Sequence, residues 1–373
     1  MGDYFGKDTF KLGFGMMRLP HLPDGENVQA QINEMADIFI SGGGTYVDTA
    51  FVYDGGKSEE AVRKAFVERY PRDSFTIATK LNARVAKDEE DAKAQLATSL
   101  KRLGTDYLDF YLLHAVSDDN YQQYCDYHLW DFVKQKKEEG VLRNIGFSYH
   151  GTPECLDRIL TEHKVDFMQL QINYADMDAP NVQSRRCWET ARKHGVSVTV
   201  MEPVKGGALA NPHESITKIF KEYNPSASMA SWAIRYVASM DGIITVLSGM
   251  SNLEQMMDNM SYMREFRPLD EQEQAVVKAA QDAMKRIPSI ACTACHYCTE
   301  GCPMSIPIPE IFAAMNRNIM FNMIDKAQRD YARATEGKGK ASECLQCGQC
   351  EGACPQHLPI IELLQDCASA LEA

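Results

Sequence analysis

Four residues have types and spacing that point to a shared chemistry: Asp48, Tyr53, Lys80 and His114. The stretch YVDTAFVYDGGKSEE, residues 46–60, reads as a short apolar strand running into Asp48. A Gly-rich loop carrying Tyr53 follows, and then a helix start at Ser58. The next strand-like run, FTIATKL, ends with Lys80, and the one after it, YLDFYLLH, ends with His114. A tyrosine phenol has an ordinary pKa of about 10 and is a poor proton donor at neutral pH. A neighbouring ammonium stabilises the phenolate and lowers that value, and an aspartate beside the lysine holds the ammonium in place. A histidine can donate a hydrogen bond to a carbonyl. The set suits proton transfer to a carbonyl oxygen while hydride arrives at the carbon. Taken singly, Asp48 reads as a helix cap, Lys80 as an exposed cation, and Tyr53 and His114 as packing residues. Their placement at three successive strand ends favours the joint role, because in a barrel of parallel strands those ends meet on one face.

The elements that must position them alternate along the chain. Strands are expected at 10–16, 46–50, 75–81, 107–114, 144–148, 167–173, 197–202 and 243–248. Helices are expected at 28–43, from Ser58, and at 88–103, 130–139, 153–163, 184–194, 227–239 and 252–263, from apolar residues recurring every three to four positions. Eight such pairs predict repeated βαβ units and a closed (β/α)8 barrel. Pro268 to Glu273 reads as a helix start with a capping box between Asp270 and Glu273. The domain boundary is expected between residues 287 and 288, giving a barrel over 1–287 and a small helical domain over 288–373 with helices near 309–321 and 323–335.

DTAFVYDGGKSE, ATKL, DFYLLH, GFS, QLQINY, PVKGGAL and SGMSNLEQMMDN occur in that order, and together they resemble the aldo-keto reductase family from about Phe10 to Pro268. The resemblance implies the barrel, and a tetrad of Asp48, Tyr53, Lys80 and His114. It further implies a nicotinamide dinucleotide, NADP(H) or NAD(H), with NADP(H) the family's lean, on the same face. Ser148 and Gln169 match carboxamide-binding positions. Ser248, Gly249, Ser251 and Asn252 open the eighth helix, whose backbone N–H groups suit a phosphate. Gln255 and Asn259 stand where the family meets the adenine, and Gly15 and Met16 complete the cofactor set at the end of the first strand. A plain N-capped helix explains the 248–252 stretch equally well. Some positions depart from the family. Met201 stands where an aromatic residue usually stacks on the nicotinamide, Tyr149 where Asn is common, and Glu202 where a small hydroxyl residue is usual. An acid beside a pyrophosphate is unfavourable unless paired, and Lys205 is expected as its partner. These departures leave room for a flavin.

Cys292, Cys295, Cys298 and Cys302-Pro form one run, and Cys344, Cys347, Cys350 and Cys354-Pro a second with identical spacing. This is the pattern of bacterial ferredoxins, in which the cysteine before proline ligates the other cluster. One [4Fe–4S] cluster is therefore expected on Cys292, Cys295, Cys298 and Cys354, and a second on Cys344, Cys347, Cys350 and Cys302. Structural zinc prefers four thiolates in one tetrahedron and fits two Cys-Pro-terminated runs poorly. The segment resembles dicluster ferredoxin domains.

Length and composition are consistent with a large domain and a small one. The chain has 373 residues and 45% hydrophobic content, ordinary for a folded protein. Its formal charge of −13 argues against a nucleic-acid groove or an anionic membrane surface. Eight of the twelve cysteines fall in the two runs, which points to a reducing cytoplasm rather than disulfides. The N-terminal ten residues do not read as a secretory signal, and no run is long enough for a transmembrane helix. The combined expectation is an oxidoreductase acting on a small carbonyl compound and linked through its clusters to a ferredoxin or other redox protein. An electron-transfer subunit whose barrel is a docking scaffold, and a catalytic barrel with structural clusters, are the alternatives.

Overall fold

The computed structural model describes residues 10–22, 28–180 and 182–372; the first nine residues, where a leader signal was sought, lie outside them. Eight strands close into a parallel barrel in chain order: β1 (Leu12–Gly15), β2 (Tyr46–Asp48), β3 (Thr76–Leu81), β4 (Leu108–Val116), β5 (Leu142–Tyr149), β6 (Phe167–Gln171), β7 (Ser197–Met201) and β8 (Ile243–Ser248). β1 pairs with both β2 and β8, so no sheet edge is left open. β1 to β4 are buried almost throughout, as expected of strands covered by side chains within and helices without.

Strand alternation sorts the side chains. On β4, Tyr111 and Leu113 join the large core shared with the surrounding helices, while Phe110 and Leu112 join a separate cluster with Tyr46, Ala78, Phe167, Ile244 and Leu247. That second cluster is the plug inside the barrel, with the Phe110 ring 4.8 Å from Tyr46 and 5.0 Å from Phe167. The period of two then carries each strand from an apolar plug residue to a polar residue on the same inward face: Tyr46 to Asp48, Ala78 to Lys80, Leu112 to His114, and Phe167 to Gln169. Packing of the plug thus aims the polar groups at one end of the barrel.

Most expected elements are present, with ends shifted by one or two residues. Asp88 caps the helix Glu89–Leu103 through its side chain, and Gly104 ends it at φ 68°. Asp270 and Glu273 exchange side-chain bonds of 2.8 and 3.1 Å with each other's backbone N–H, forming the expected capping box. Ser58 does not start its helix. Gly56 does, at φ 95°, and the Ser58 hydroxyl bonds Met16 O at 2.8 Å and Thr49 Oγ1 at 2.7 Å. Residues 204–224, between the expected strand 197–202 and helix 227–239, contain a further helix, Glu214–Tyr223. Short helices at Tyr121–Asp126, Tyr297–Glu300 and Gln349–Ala353, and a longer one at Ile360–Leu371, were also not foreseen.

The chain forms two compact units. One runs to Gly206 and resumes over Ala230–Val277; the other comprises Gly207–Met229 and the chain from Lys278 onward. In the second unit, helices Ile308–Phe321, Ile324–Ala334 and Ile360–Leu371 enclose a core of Ile306, Ile311, Phe312, Tyr331 and Leu364. His213 N donates to Met320 O at 3.1 Å, tying the 207–229 segment to the first of these helices. Among the described residues, no helix is long and apolar enough to cross a membrane.

The loop that carries Tyr53 depends on Gly56. Its φ lies in the left-handed region, and an added Cβ would come within 2.6 Å of the Arg102 guanidinium. That guanidinium is held by Phe51 O at 3.0 Å and Glu59 Oε2 at 3.2 Å. Gly56→Ala is expected to lower stability by about 1–3 kcal/mol, read as a lower urea midpoint of barrel unfolding with an unchanged slope.

Candidate active site and cluster sites

Lys80 is 0% exposed, and its ammonium donates to Asp48 Oδ1 at 2.7 Å and to Thr49 O at 2.6 Å. Its Nζ lies 4.7 Å from the centre of the Tyr53 ring, and the His114 ring centre is 5.6 Å from that of Tyr53 at 77°. The four residues expected to act together are therefore in one place. Gln169 adds a fifth polar group, its amide donating to Asp48 Oδ2 at 3.3 Å. β4 bends beyond His114, where Ala115 has φ 52°, and the Ala115 N–H bonds Ser148 Oγ at 2.7 Å. Ser148 and Gln169 are register partners on β5 and β6.

The electrostatics depart from expectation at one point. Burial pushes the Tyr53 phenol above its ordinary value, outweighing the lowering effect of Lys80, and the Asp48 and Glu202 carboxylates add to the rise. Lys80 therefore limits the upward shift rather than bringing the phenol below about 10, and at neutral pH Tyr53 is a held proton. Burial acts to lower Lys80, but Asp48 and then Tyr53 more than compensate, so the ammonium stays charged. Burial likewise raises Asp48, with Lys80 and Gln169 pulling the other way. Burial, with Lys80 next, depresses His114 to about 3, so its imidazole is neutral. Its Nδ1 is buried without a hydrogen-bond partner.

The expected cofactor residues divide into two groups. Gly15 lies against the backbone of Ser248 and Gly249, where an added Cβ would stand 3.4 Å from Ser248 O, so the end of β1 meets the proposed phosphate loop. Asn252 caps the helix Leu253–Met263, accepting from Gln255 N at 2.8 Å. The Gln255 side chain turns back to accept the Ser251 N–H at 2.8 Å. Asn259 donates to Ser248 Oγ at 2.8 Å and accepts from Tyr262 Oη at 2.5 Å. Both side chains thus make hydrogen bonds within the chain, Asn259 buried and Gln255 exposed. Met16 is buried, with its N–H on Asp48 O at 2.8 Å. Met201 ends β7, half-buried. Lys205 does not pair with Glu202; its ammonium is 2.5 Å from Asp176 Oδ1. The partner of Glu202 is Arg18, at 3.2 Å. The Arg18 side chain also passes about 3.4 Å from where a Cβ of Gly249 would stand, placing a cation beside the expected phosphate loop. No sequence motif marked Arg18, since its partner lies 184 residues away.

In the second unit the thiols gather as the spacing predicted. Cys292, Cys295, Cys298 and Cys354 line one recess, and Cys302, Cys344, Cys347 and Cys350 line another. The cysteine before proline thus lies with the other run in each case. Ile308 lines both recesses. Among the described residues, no group of three or more His, Cys, Asp or Glu is placed to hold a single metal ion; the donor chemistry of four thiols per recess is that of a [4Fe–4S] cube, which takes one thiolate on each iron. Burial raises the Cys298 thiol to about 11, a rise that cationic iron reverses by binding the thiolate. The repeat extends to the backbone. Ala294, His296 and Ser305 have φ of 55°, 62° and 51°, and their counterparts Gln346, Gly348 and His357 have 55°, 76° and 51°. These turns wrap the chain around the sulfurs, and Gln346 N donates to Cys344 Sγ at 3.5 Å.

Residues 11–282 match the family model described as the aldo/keto reductase family, and residues 291–358 match that of the 4Fe-4S dicluster domain. The chain belongs to the aldo-keto reductase family. It is an oxidoreductase with a C-terminal 4Fe-4S dicluster domain. It is 26% identical over 312 residues to the uncharacterized oxidoreductase YqkF of Bacillus subtilis, covering 75% of this chain and 94% of that protein. It is 30% identical over 190 residues to the methylglyoxal reductase DkgA of Yersinia pestis, covering 50% of this chain and 64% of that protein. Among solved structures, the holo form of the aldo-keto reductase AKR11C1 from Bacillus halodurans superposes with a TM-score of 0.60 at 25% identity, over 72% of this chain and 91% of that one. An aldo-keto reductase from Klebsiella pneumoniae in complex with NADPH shares the fold, with a TM-score of 0.58 at 21% identity over 72% and 89% of the two chains.

Asp48→Asn leaves the buried Lys80 ammonium without its counter-charge. The variant is expected to lose about 3–5 kcal/mol of barrel stability. The double variant Asp48→Asn, Lys80→Met should recover much of that loss, measured as urea midpoints in a double-mutant cycle.

Proposed function

We propose that the barrel reversibly reduces the carbonyl group of a small molecule with NADPH or NADH, and that two [4Fe–4S] clusters connect the chain to one-electron carriers. The observation that carries the first half is the convergence of Asp48, Tyr53, Lys80 and His114 on the inward face of the barrel. When bound, a reduced nicotinamide supplies hydride, two electrons at once, and the clusters pass single electrons. Tyr53 gives its proton to the carbonyl oxygen as that oxygen gains charge. The Lys80 ammonium, fixed by Asp48 and Thr49 O, stabilises the phenolate left behind. His114 is neutral and has an unpartnered ring nitrogen, so it orients the carbonyl by a hydrogen bond without competing as an acid. Arg18 neutralises Glu202 beside the phosphate loop, which answers the unfavourable acid at that position.

The thiol set supports the second half. Cys295 and Cys347 are exposed, one in each recess, and beside them stand Tyr297 at 59% and Leu345 at 62% exposure. Such a surface suits electron exchange with a ferredoxin-like partner. A second reading, a docking subunit that turns over no carbonyl, draws on the internal engagement of the Gln255 and Asn259 amides. Titration with NADPH separates the two, since the reductase binds it and the docking subunit does not.

Tyr53→Phe is expected to lower NADPH-dependent carbonyl reduction by at least about 100-fold, with the iron–sulfur absorbance unchanged; retained activity would sink the proton-donor role. For the clusters, Cys298→Ala with Cys354→Ala removes two ligands of one recess and should leave about four of about eight irons per chain. Cys298→Ala with Cys302→Ala strikes both recesses and should leave fewer. The reverse order of iron contents would show that each run ligates its own cluster.

A further inference from the structure

We infer that the carbonyl compound taken by the barrel carries a carboxylate, and that Arg84 is the residue that binds it. The inference names the substrate class of the proposed reaction and rests on that reading. Arg84 lies in the turn Ala83–Val85 that follows β3, four residues beyond Lys80, and is exposed. The turn is tied to the segment after β4. Ala83 N donates to Tyr124 Oη at 3.3 Å, and Tyr124 Oη in turn donates to His114 O at 2.5 Å. Gln123 Nε2 donates to Ala83 O at 3.2 Å. The guanidinium reaches the same segment, its Nη2 donating to Ser117 Oγ at 3.2 Å, three residues after His114. Two strand ends therefore fix a cation on the His114 side of the site.

The charges around it sharpen the point. Lys80 is matched by Asp48, Arg18 by Glu202 and Lys205 by Asp176. Arg84 has no carboxylate partner among the described residues, although Asp118 is the next residue after its Ser117 partner. Asp118 is spent on Thr152 and Tyr149. Arg84 also acts electrostatically on both His114, where it follows burial, Lys80 and His150, and His150, where it follows burial and is opposed by Glu202. A guanidinium presents five donors in a planar fork, and one bond to a serine hydroxyl leaves most of them free for a carboxylate. In the reaction the carbonyl carbon gains hydride from reduced nicotinamide and the oxygen gains the Tyr53 proton. The carboxylate is unchanged, so an oxo acid becomes a hydroxy acid and the nicotinamide is oxidised.

The test uses the full chain with its clusters and two non-reducible amides, oxamate and succinamate. Their amide carbonyl stands for the reacting one, and they place the carboxylate at two distances from it. Neutral butyramide is the control. By calorimetry, wild type is expected to bind at least one acid more tightly than butyramide. Arg84→Ala should weaken that acid by about 10- to 100-fold and leave butyramide unchanged, and Arg84→Lys should restore part of the affinity. In turnover, the same variant should raise KM for the matching oxo acid with little change in kcat, and leave a neutral aldehyde unaffected. Equal binding of acids and butyramide by wild type, or equal binding of the acids by wild type and Arg84→Ala, overturns the inference, even where neutral aldehydes are reduced. Arg84-dependent binding of an acid in a protein that reduces no carbonyl would instead reject the proposed reaction and leave the anion site standing.

Discussion

The barrel end is organised around one buried ion pair. Lys80 and Asp48 meet at 2.7 Å where neither has water to solvate it, an arrangement that costs desolvation energy and survives only when every remaining proton and lone pair is occupied. Thr49 O takes one ammonium proton and Gln169 donates to the second carboxylate oxygen. These partners come from β3, β6 and the end of β2, so the pair can exist only in a closed barrel with its register intact. The plug of Tyr46, Ala78, Phe110, Leu112 and Phe167 sets that register. Packing inside the barrel and chemistry at its mouth are two consequences of a single alternation of side chains.

Burial has opposite effects on the two protons around that pair. It raises the Tyr53 phenol, which keeps the acid form at hand, and it depresses His114, which keeps the imidazole neutral. A phenol and an imidazole of ordinary values would be separated by only about 3–4 pKa units; here the separation is wider, which suits the proposed roles of one group as proton donor and the other as hydrogen-bond donor. This division of roles comes from the low-dielectric surroundings rather than from the identity of either side chain.

The second unit uses a different device. Eight thiols are brought together by a repeated backbone path, with left-handed residues at matched positions of the two runs, and the exchange of Cys302 and Cys354 between recesses makes each half depend on the other. Ile308 lines both recesses. Hydride chemistry moves electrons in pairs and iron–sulfur chemistry moves them singly, so under the proposed function one chain would join a two-electron reaction to one-electron carriers.

The barrel, the tetrad and the cysteine runs were legible in the sequence because each rests on local periodicity or fixed spacing. The alternation of YVD, TIATKL and YLDFYLLH already places Asp48, Lys80 and His114 on one face, and the two Cys-Pro runs already predict that Cys302 and Cys354 lie with the opposite run. Long-range charge pairing was not legible. Lys205 stands three residues from Glu202 and seemed its natural partner, yet the left-handed turn at Glu202 and Lys205 sends the ammonium to Asp176 and leaves Glu202 to Arg18. Only the tertiary structure could decide the direction of the Tyr53 shift, since it depends on how much burial opposes Lys80. It alone could show Arg84 at His114, because the tie runs through Tyr124 and Ser117. Sequence spacing controls what lies on one strand or in one loop, whereas ion pairs and dielectric are settled by what folding brings in from elsewhere.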